Sequence, residues 1–296
     1  MCVSGHGKKE ANLRYLNFCL LLHELKRILK QLFTIENQNG APVQPVLSLR
    51  LGNHHLGYSI TNPGGEVLYS LGYYQTEQTD RTDLESLLEQ TPALNESFYS
   101  VQVSWDFTGN ALLSSVGHQP EASGSMLKAL YGTTGQEAVI TENITDWQLF
   151  NVYAVPADLL QKVQQQYPSA QSRHQFSLAM KDVIAATDGG NLYADFRPDE
   201  FSVVVVKSSG LLLAQTYSYS TPEDVLYYLL KCCAYLGLSQ QELQLQVSGL
   251  IDSDSALYKE LNQYFLQIEF RESAWQNTDF PAHFFTTLND LARCAS

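Results

Sequence analysis

With 296 residues, 44% of them hydrophobic and 17% charged, the chain has the composition of a globular protein rather than a disordered one, and its length suits one large domain or two ordinary ones. Its 18 Lys and Arg against 31 Asp and Glu leave a formal charge of −13. No basic surface is therefore on offer to neutralise a phosphate backbone, which excludes nucleic acid and acidic membranes as general partners.

Residues 1–45 run against that balance, with six basic residues and three acidic ones. Within them Phe18, Leu21, Leu22, Leu25, Ile28, Leu29, Leu32 and Phe33 recur at helical spacing, the mark of one amphipathic helix. Asn37-Gln38-Asn39-Gly40, Pro42 and Pro45 read as a linker. The expectation is an N-terminal amphipathic extension and linker over residues 1–45 that the fold can dispense with. The apolar run Leu16–Leu22 is broken by Asn17 and leads into His23-Glu24-Leu25-Lys26-Arg27 without a small-residue cleavage site, unlike a secretory signal. No run approaches the roughly 20 apolar residues of a membrane-spanning helix. Five cysteines without paired ligand spacing give no disulfide framework and suit a reducing cytoplasm.

From Leu47 the chain reads as two β-rich runs joined at Asn62-Pro63-Gly64-Gly65, with more strand residues after them, a β-hairpin or meander. A helix over Asp83–Gln90, with Thr82 and Glu85 in capping-box positions, and a strand over Phe98–Trp105 follow. Val152–Val155 reads as a strand, Asp158–Gln166 as a helix and Phe176–Ala186 as another. From Leu192 the grammar repeats: a short run, a polar break, the strand Val203–Val206, the turn Ser208-Ser209-Gly210 and a return strand. Thr221-Pro222-Glu223-Asp224 opens a helix with a hydroxyl cap and a first-turn proline. On that helix the adjacent Cys232 and Cys233 pack as small apolar side chains. Leu243–Val247 is then a strand, and Ala256–Phe265 a helix. A shift of 145 residues lays Arg50 on Asp195, Leu56 on Phe201 and Gly65 on Gly210, so the architecture is a duplicated α/β fold with halves at 46–190 and 191–296.

Over Val46 to about Arg293 these residues resemble the actin-like ATPase superfamily of ribonuclease H-like folds, which includes actin, sugar kinases, Hsp70 chaperones and the pilus-assembly and type II secretion cytoplasmic domains. In particular they resemble an uncharacterised bacterial domain-of-unknown-function family with that fold, through Phe150-Asn151-Val152-Tyr153-Ala154-Val155-Pro156, Tyr167-Pro168-Ser169-Ala170, Tyr193-Ala194-Asp195-Phe196 and Val247-Ser248-Gly249-Leu250-Ile251-Asp252-Ser253-Asp254-Ser255. The resemblance implies two similar halves around a cleft. It also implies an Asp-x-Gly hairpin on each half to hold magnesium and phosphate, and a glycine pair near the adenosine. Here the first hairpin reads Arg50-Leu51-Gly52, keeping the glycine and losing the carboxylate. The second reads Asp195-Phe196-Arg197, keeping the carboxylate and losing the glycine. Ser248-Gly249 keeps one glycine of the pair.

A shared fold does not transfer chemistry, and replacing a metal ligand by a cation repels the metal. The expectation is a cytoplasmic binding or scaffolding module with no catalytic or metal residues, no cofactor and an unidentified protein partner. Its degenerate nucleotide cleft is made of Arg50, Gly52, Asp195, Arg197, Ser248 and Gly249. The alternative is a nucleotide-binding ATPase with ATP as its ligand. Arg50 and Asp195 either pair across a closed cleft, or Arg50 and Arg197 hold phosphate directly. Gly249 should tolerate alanine poorly and Ser248 well. The neighbours His54 and His55 point to opposite faces of a strand and make no joint metal site. Asp252-Ser253-Asp254-Ser255 lacks the glycine and late Glu of a calcium loop and reads as a helix cap.

Overall fold

Leu47, Leu49 and Leu51 alternate with Ser48, Arg50 and Gly52, and Val101, Val103 and Trp105 alternate with Gln102, Ser104 and Asp106. A strand with that period has one apolar and one polar face. In the structure, a computed structural model describing residues 29–37, 40, 42–116, 120–132, 135–181, 183, 188–208, 210–275 and 279–295, both faces are buried. The first sheet contains β1 (Lys30–Glu36), β2 (Val46–Gly52), β3 (His55–Thr61), β4 (Leu68–Gln75), β5 (Ser100–Asp106) and, later in the chain, β9 (Gln171–His174), in the order β1-β4-β3-β2-β5-β9. Its leucine face packs under α1 (Arg81–Gln90) and α3 (Ala157–Gln166) through Leu84, Leu87, Leu159 and Val163. Asp80, rather than Thr82, caps α1, in a capping box with Asp83.

Between β5 and β9 the chain builds a smaller antiparallel sheet, β6 (Asn110–Ser114), β8 (Leu149–Pro156) and β7 (Glu137–Ile144), with α2 (Ser123–Tyr131) beside it. After α4 (Gln175–Lys181) comes the second large sheet. It consists of β10 (Asn191–Phe196), β11 (Glu200–Lys207), β12 (Gly210–Ser218), β13 (Gln244–Gly249) and β14 (Gln267–Phe270), ordered β12-β11-β10-β13-β14. The helices α5 (Pro222–Leu236), capped by Thr221, and α6 (Ala256–Tyr264), capped by Ser255, cover its apolar face.

Strands β4-β3-β2-β5-β9 and β12-β11-β10-β13-β14 repeat one topology, with two antiparallel hairpin pairs followed by two parallel ones. The 145-residue shift is the structural one. Arg50 lies opposite Gly57 on β3 as Asp195 lies opposite Ser202 on β11, and Ser104 and Ser248 flank them on the parallel side.

Two boundaries differ from the sequence reading. Lys30–Glu36, placed in the extension, is a strand paired antiparallel with β4. Leu29 and Ile35 are buried, and the Phe33 ring packs edge-on against Phe280 at 4.7 Å. Helical spacing misled here because the apolar run crosses into a strand whose burial is decided by the distant residues 280–285. The extension's expected helix upstream of Leu29 lies outside the described residues. A chain starting at Gln44 should thus melt about 5–10 °C below full length instead of within a few degrees of it, since it bares β4 and empties the Phe33 and Ile35 sites. Thermal melts of the two proteins check this. The second difference is at the other end. The C-terminal helix α7 (Thr286–Arg293) stays in contact with β13 of the second sheet but packs mainly on β2 and β3 of the first, and also on β5. Asn289 Nδ2 and Trp275 Nε1 both donate to the Gly65 carbonyl, at 2.7 and 2.8 Å.

Candidate functional site

The polar faces of β2, β5, β10 and β13 meet at one buried centre. Arg50 Nε donates to Asp106 Oδ2 and Arg50 Nη2 to Asp195 Oδ2, each at 2.5 Å, with the arginine 3% exposed and Asp106 wholly buried. One guanidinium therefore ties a carboxylate of the first half to a carboxylate of the second. Of the two arrangements open to Arg50 and Asp195, the structure has the ion pair.

Every oxygen of the two carboxylates is occupied. Asp195 Oδ1 accepts from Ser248 Oγ at 2.9 Å and Thr287 Oγ1 at 3.2 Å, and its Oδ2 also faces Arg197 Nη1 at 3.5 Å. Asp106 Oδ1 accepts from Ser104 Oγ at 2.7 Å, and His55 Nε2 lies 3.3 Å from Oδ2. Burial pushes the Asp106 carboxyl upward, but the Arg50 guanidinium and His55 outweigh it and hold the group well below the usual carboxylate range. Burial likewise raises Asp195, and Arg50 with Arg197 brings it below its ordinary value. For Arg50, burial works against the charge, and Asp106 and Asp195 more than restore it. Burial lowers His55, so its imidazole is neutral at this site at pH 7.

The two hairpin turns that the family pattern assigns to phosphate are filled by the chain itself. A Cβ on Gly52 would lie 2.0 Å from the His55 ring, which rests over the glycine on its way to Asp106. At the equivalent place on the second hairpin, Arg197 is fully buried. Its Nε donates to Glu200 at 2.8 Å and its Nη1 to Gln175 Oε1 at 3.1 Å, the latter at the start of α4. The tips touch as well, because Asn53 Nδ2 reaches Thr108 Oγ1 and Glu200 Oε2, both at 3.3 Å. Three buried polar atoms around this centre have no hydrogen-bond partner: Arg197 Nη2, His55 Nδ1 and Tyr73 Oη. Nearby His174 is also neutral, brought down to about 4 mainly by burial. Its Nε2 faces the Phe107 carbonyl and its Nδ1 accepts from the Phe176 amide.

All six sequence-predicted residues lie at or beside this centre, but not in the roles expected for a nucleotide cleft. Gly249 ends β13 at φ +79°, in the register opposite Phe196. Ser248, expected to matter little, holds the Asp195 carboxylate. Sequence reasoning missed Asp106, Gln175, Glu200 and Thr287. The signal for Asp106 was present, since it continues the polar alternation Gln102, Ser104 of a strand that lies parallel to β2. Only His55 is in a strand; His54 lies in the turn between β2 and β3, where its Nδ1 is 2.6 Å from the Glu77 carbonyl, and the two do not share a site. Asp252 caps its own turn by accepting from the Asp254 amide. Among the described residues no three His, Cys, Asp or Glu side chains are grouped to hold a metal ion, and no helix is long and apolar enough to cross a membrane.

Below the Arg50–Asp195 pair, a small open pocket lies between α4, α7 and the second sheet, with Leu178, Tyr193 and Val204 as its apolar wall. Its polar groups already bind one another: Asp195 as above, and Arg271 Nη2 to Asp290 Oδ2 at 2.9 Å.

A family profile described as "Protein of unknown function (DUF3822)" matches residues 36–268. No curated protein is significantly similar to the chain. Among solved structures, a Bacteroides thetaiotaomicron protein described as having an actin-like ATPase fold and unknown function is 20% identical, with a TM-score of 0.70 over 85% of this chain and 96% of that one. The structure titled "PilM-PilN type IV pilus biogenesis complex" matches at 11% identity and TM-score 0.56, over 86% of this chain and 99% of that one. The ethanolamine utilization protein EutJ of Carboxydothermus hydrogenoformans matches at 10% and 0.51, over 88% and 92%. These likenesses, with the duplicated topology, show an actin-like ATPase fold.

Proposed function

Because the chain belongs to the DUF3822 family of proteins of unknown function and has an actin-like ATPase fold, we propose that it is a non-hydrolysing binding or scaffolding module, working in the cytoplasm, whose frame is locked by its own arginine where the fold's ATPases hold metal. One observation carries this reading: the Arg50 guanidinium sits between Asp106 and Asp195 and donates to Oδ2 of each. A divalent cation needs anionic oxygens free to coordinate it. Here those oxygens already accept from an arginine, two serines and a threonine. A protein is the partner class that fits. The similar PilM is described in complex with PilN, and a chain of charge −13 repels polyanions.

A second reading, a phosphate held without metal, draws on the unpartnered Nη2 of Arg197. Titration of the purified protein with ATP, with and without magnesium, followed by melting temperature and phosphate release, separates the two. The scaffolding reading expects neither stabilisation nor turnover. Metal-independent stabilisation that is lost in Arg197→Lys favours the second reading. Magnesium-dependent turnover that Asp195→Ala eliminates overturns both and restores an ATPase.

A further inference from the structure

The two sheets repeat each other strand for strand, but their outer edges are finished differently. In an antiparallel ladder every second residue turns its N–H and C=O to one neighbour and the residues between turn theirs to the other. The Asn37 amide donates to the Tyr69 carbonyl, which fixes Tyr69, Leu71 and Tyr73 as the β4 residues bonded to β1. Transferred through the two hairpin registers, these correspond to Leu212, Ala214 and Thr216 on β12. The bond from the Tyr219 amide to the Asp199 carbonyl puts Tyr217, Gln215 and Leu213 against β11, so Ala214 and Thr216 turn their backbone groups outward, while Leu212 is the extra residue of a bulge, the counterpart of the bulged Tyr69 whose carbonyl serves β1. Among the described residues β12 is the outermost strand there. None of its nine residues is buried, and Leu212 is 40% exposed.

We propose that this edge is an interface with a second copy of the chain, the two β12 strands pairing antiparallel about a twofold axis at Ala214. Natural sheets blunt an exposed edge with lysine, proline, a short strand or inward charge. The strand β1, which ends the first sheet, has Lys30 and Glu36 at its two ends. By contrast β12 is nine residues long, and no charged residue occurs from Ser208 to Pro222. Two copies can therefore meet along it with no like charges opposed. A twofold at Ala214 sets the smallest side chain of the strand against itself and Leu212 against Thr216. Ala214 then exchanges both backbone bonds with its counterpart, and Thr216 meets the bulged Leu212 of the other copy, its carbonyl giving up the Gln215 side-chain amide that donates to it at 3.3 Å. The pairing is isologous and closes, joining two five-stranded sheets into one and leaving no further β12 edge. The −13 charge of each copy lies off the contact and opposes association at long range, so the dimer should tighten as salt is added.

Sedimentation equilibrium of the full chain at low and high salt tests this. The expected result is a dimer that is stronger at high salt. Leu212→Lys, at an exposed position, should weaken it by about tenfold or more by placing a charge on the edge. Ala214→Pro should abolish it, because the N–H it removes faces outward and takes no bond from β11. Melting curves show whether each variant is folded, and if Ala214→Pro is not, Leu212→Lys alone decides. A protein that is monomeric at every concentration and salt overturns the proposal. So does a dimer that a folded edge variant leaves unchanged, or one that salt dissociates.

Discussion

Arg50→Ala should lower the stability of the fold by about 3–5 kcal/mol, the cost of stripping a buried charge of its partner. The substitution leaves Asp106, wholly buried, with only Ser104 and a neutral His55, and leaves Asp195 to two hydroxyls and a distant Arg197. The effect has a sign in pH that a simple loss of packing lacks. In the native protein both carboxyls titrate below their ordinary values. They therefore contribute stability above the unfolded-state value near 4, and lose it as the pH falls through their folded values. Without Arg50, burial dominates and both carboxyls move up. Protonation then relieves the variant, and its deficit against the native protein should shrink between pH 7 and pH 4. Urea unfolding of both proteins across that range checks magnitude and sign. An arginine that instead waited for phosphate would leave stability unchanged in the absence of nucleotide.

Gly249→Ala should be comparably severe, and for a backbone reason. A residue with a Cβ at φ +79° costs about 1–2 kcal/mol in conformation alone. Here the Cβ would also lie 2.2 Å from the Phe196 carbonyl oxygen and 2.8 Å from its nitrogen. That carbonyl accepts from the Leu250 amide at 2.8 Å, so it cannot retreat without parting β10 from β13 beside Asp195 and Ser248. Unfolding midpoints in urea should place Gly249→Ala well below Ser248→Ala. The latter loses one hydrogen bond to a charged group, about 1.5–3 kcal/mol, and is no longer the mild change that a plain strand-to-helix turn suggests. A Gly249→Ala protein as stable as the native one would show that the two strands can separate here at little cost.

Much of this molecule was legible in its sequence because the informative signals are local. β-rich runs marked strands from Leu47 and over Phe98–Trp105, near the observed β2 and β5, Thr221-Pro222 marked a helix start, and a repeat at 145 residues exposed the duplication and laid Arg50 on Asp195. Chain-distant contacts decided the rest. Lys30–Glu36 is a strand because β4 offers an unpaired edge and Phe280, Phe284 and Phe285 a pocket for Phe33, neither of which a helical period can sense. The strands of the small sheet beside β8, and the helix α7, went unread for the same reason. At the centre, the sequence supplied two cations and one anion on two hairpins. Only the parallel pairing of β5 with β2 brings Asp106 to Arg50. Only the crossing of α7 brings Thr287 to Asp195. A guanidinium in that position is stable only because both carboxylates are folded around it, since the cost of burying its charge is offset by partners 56 and 145 residues away.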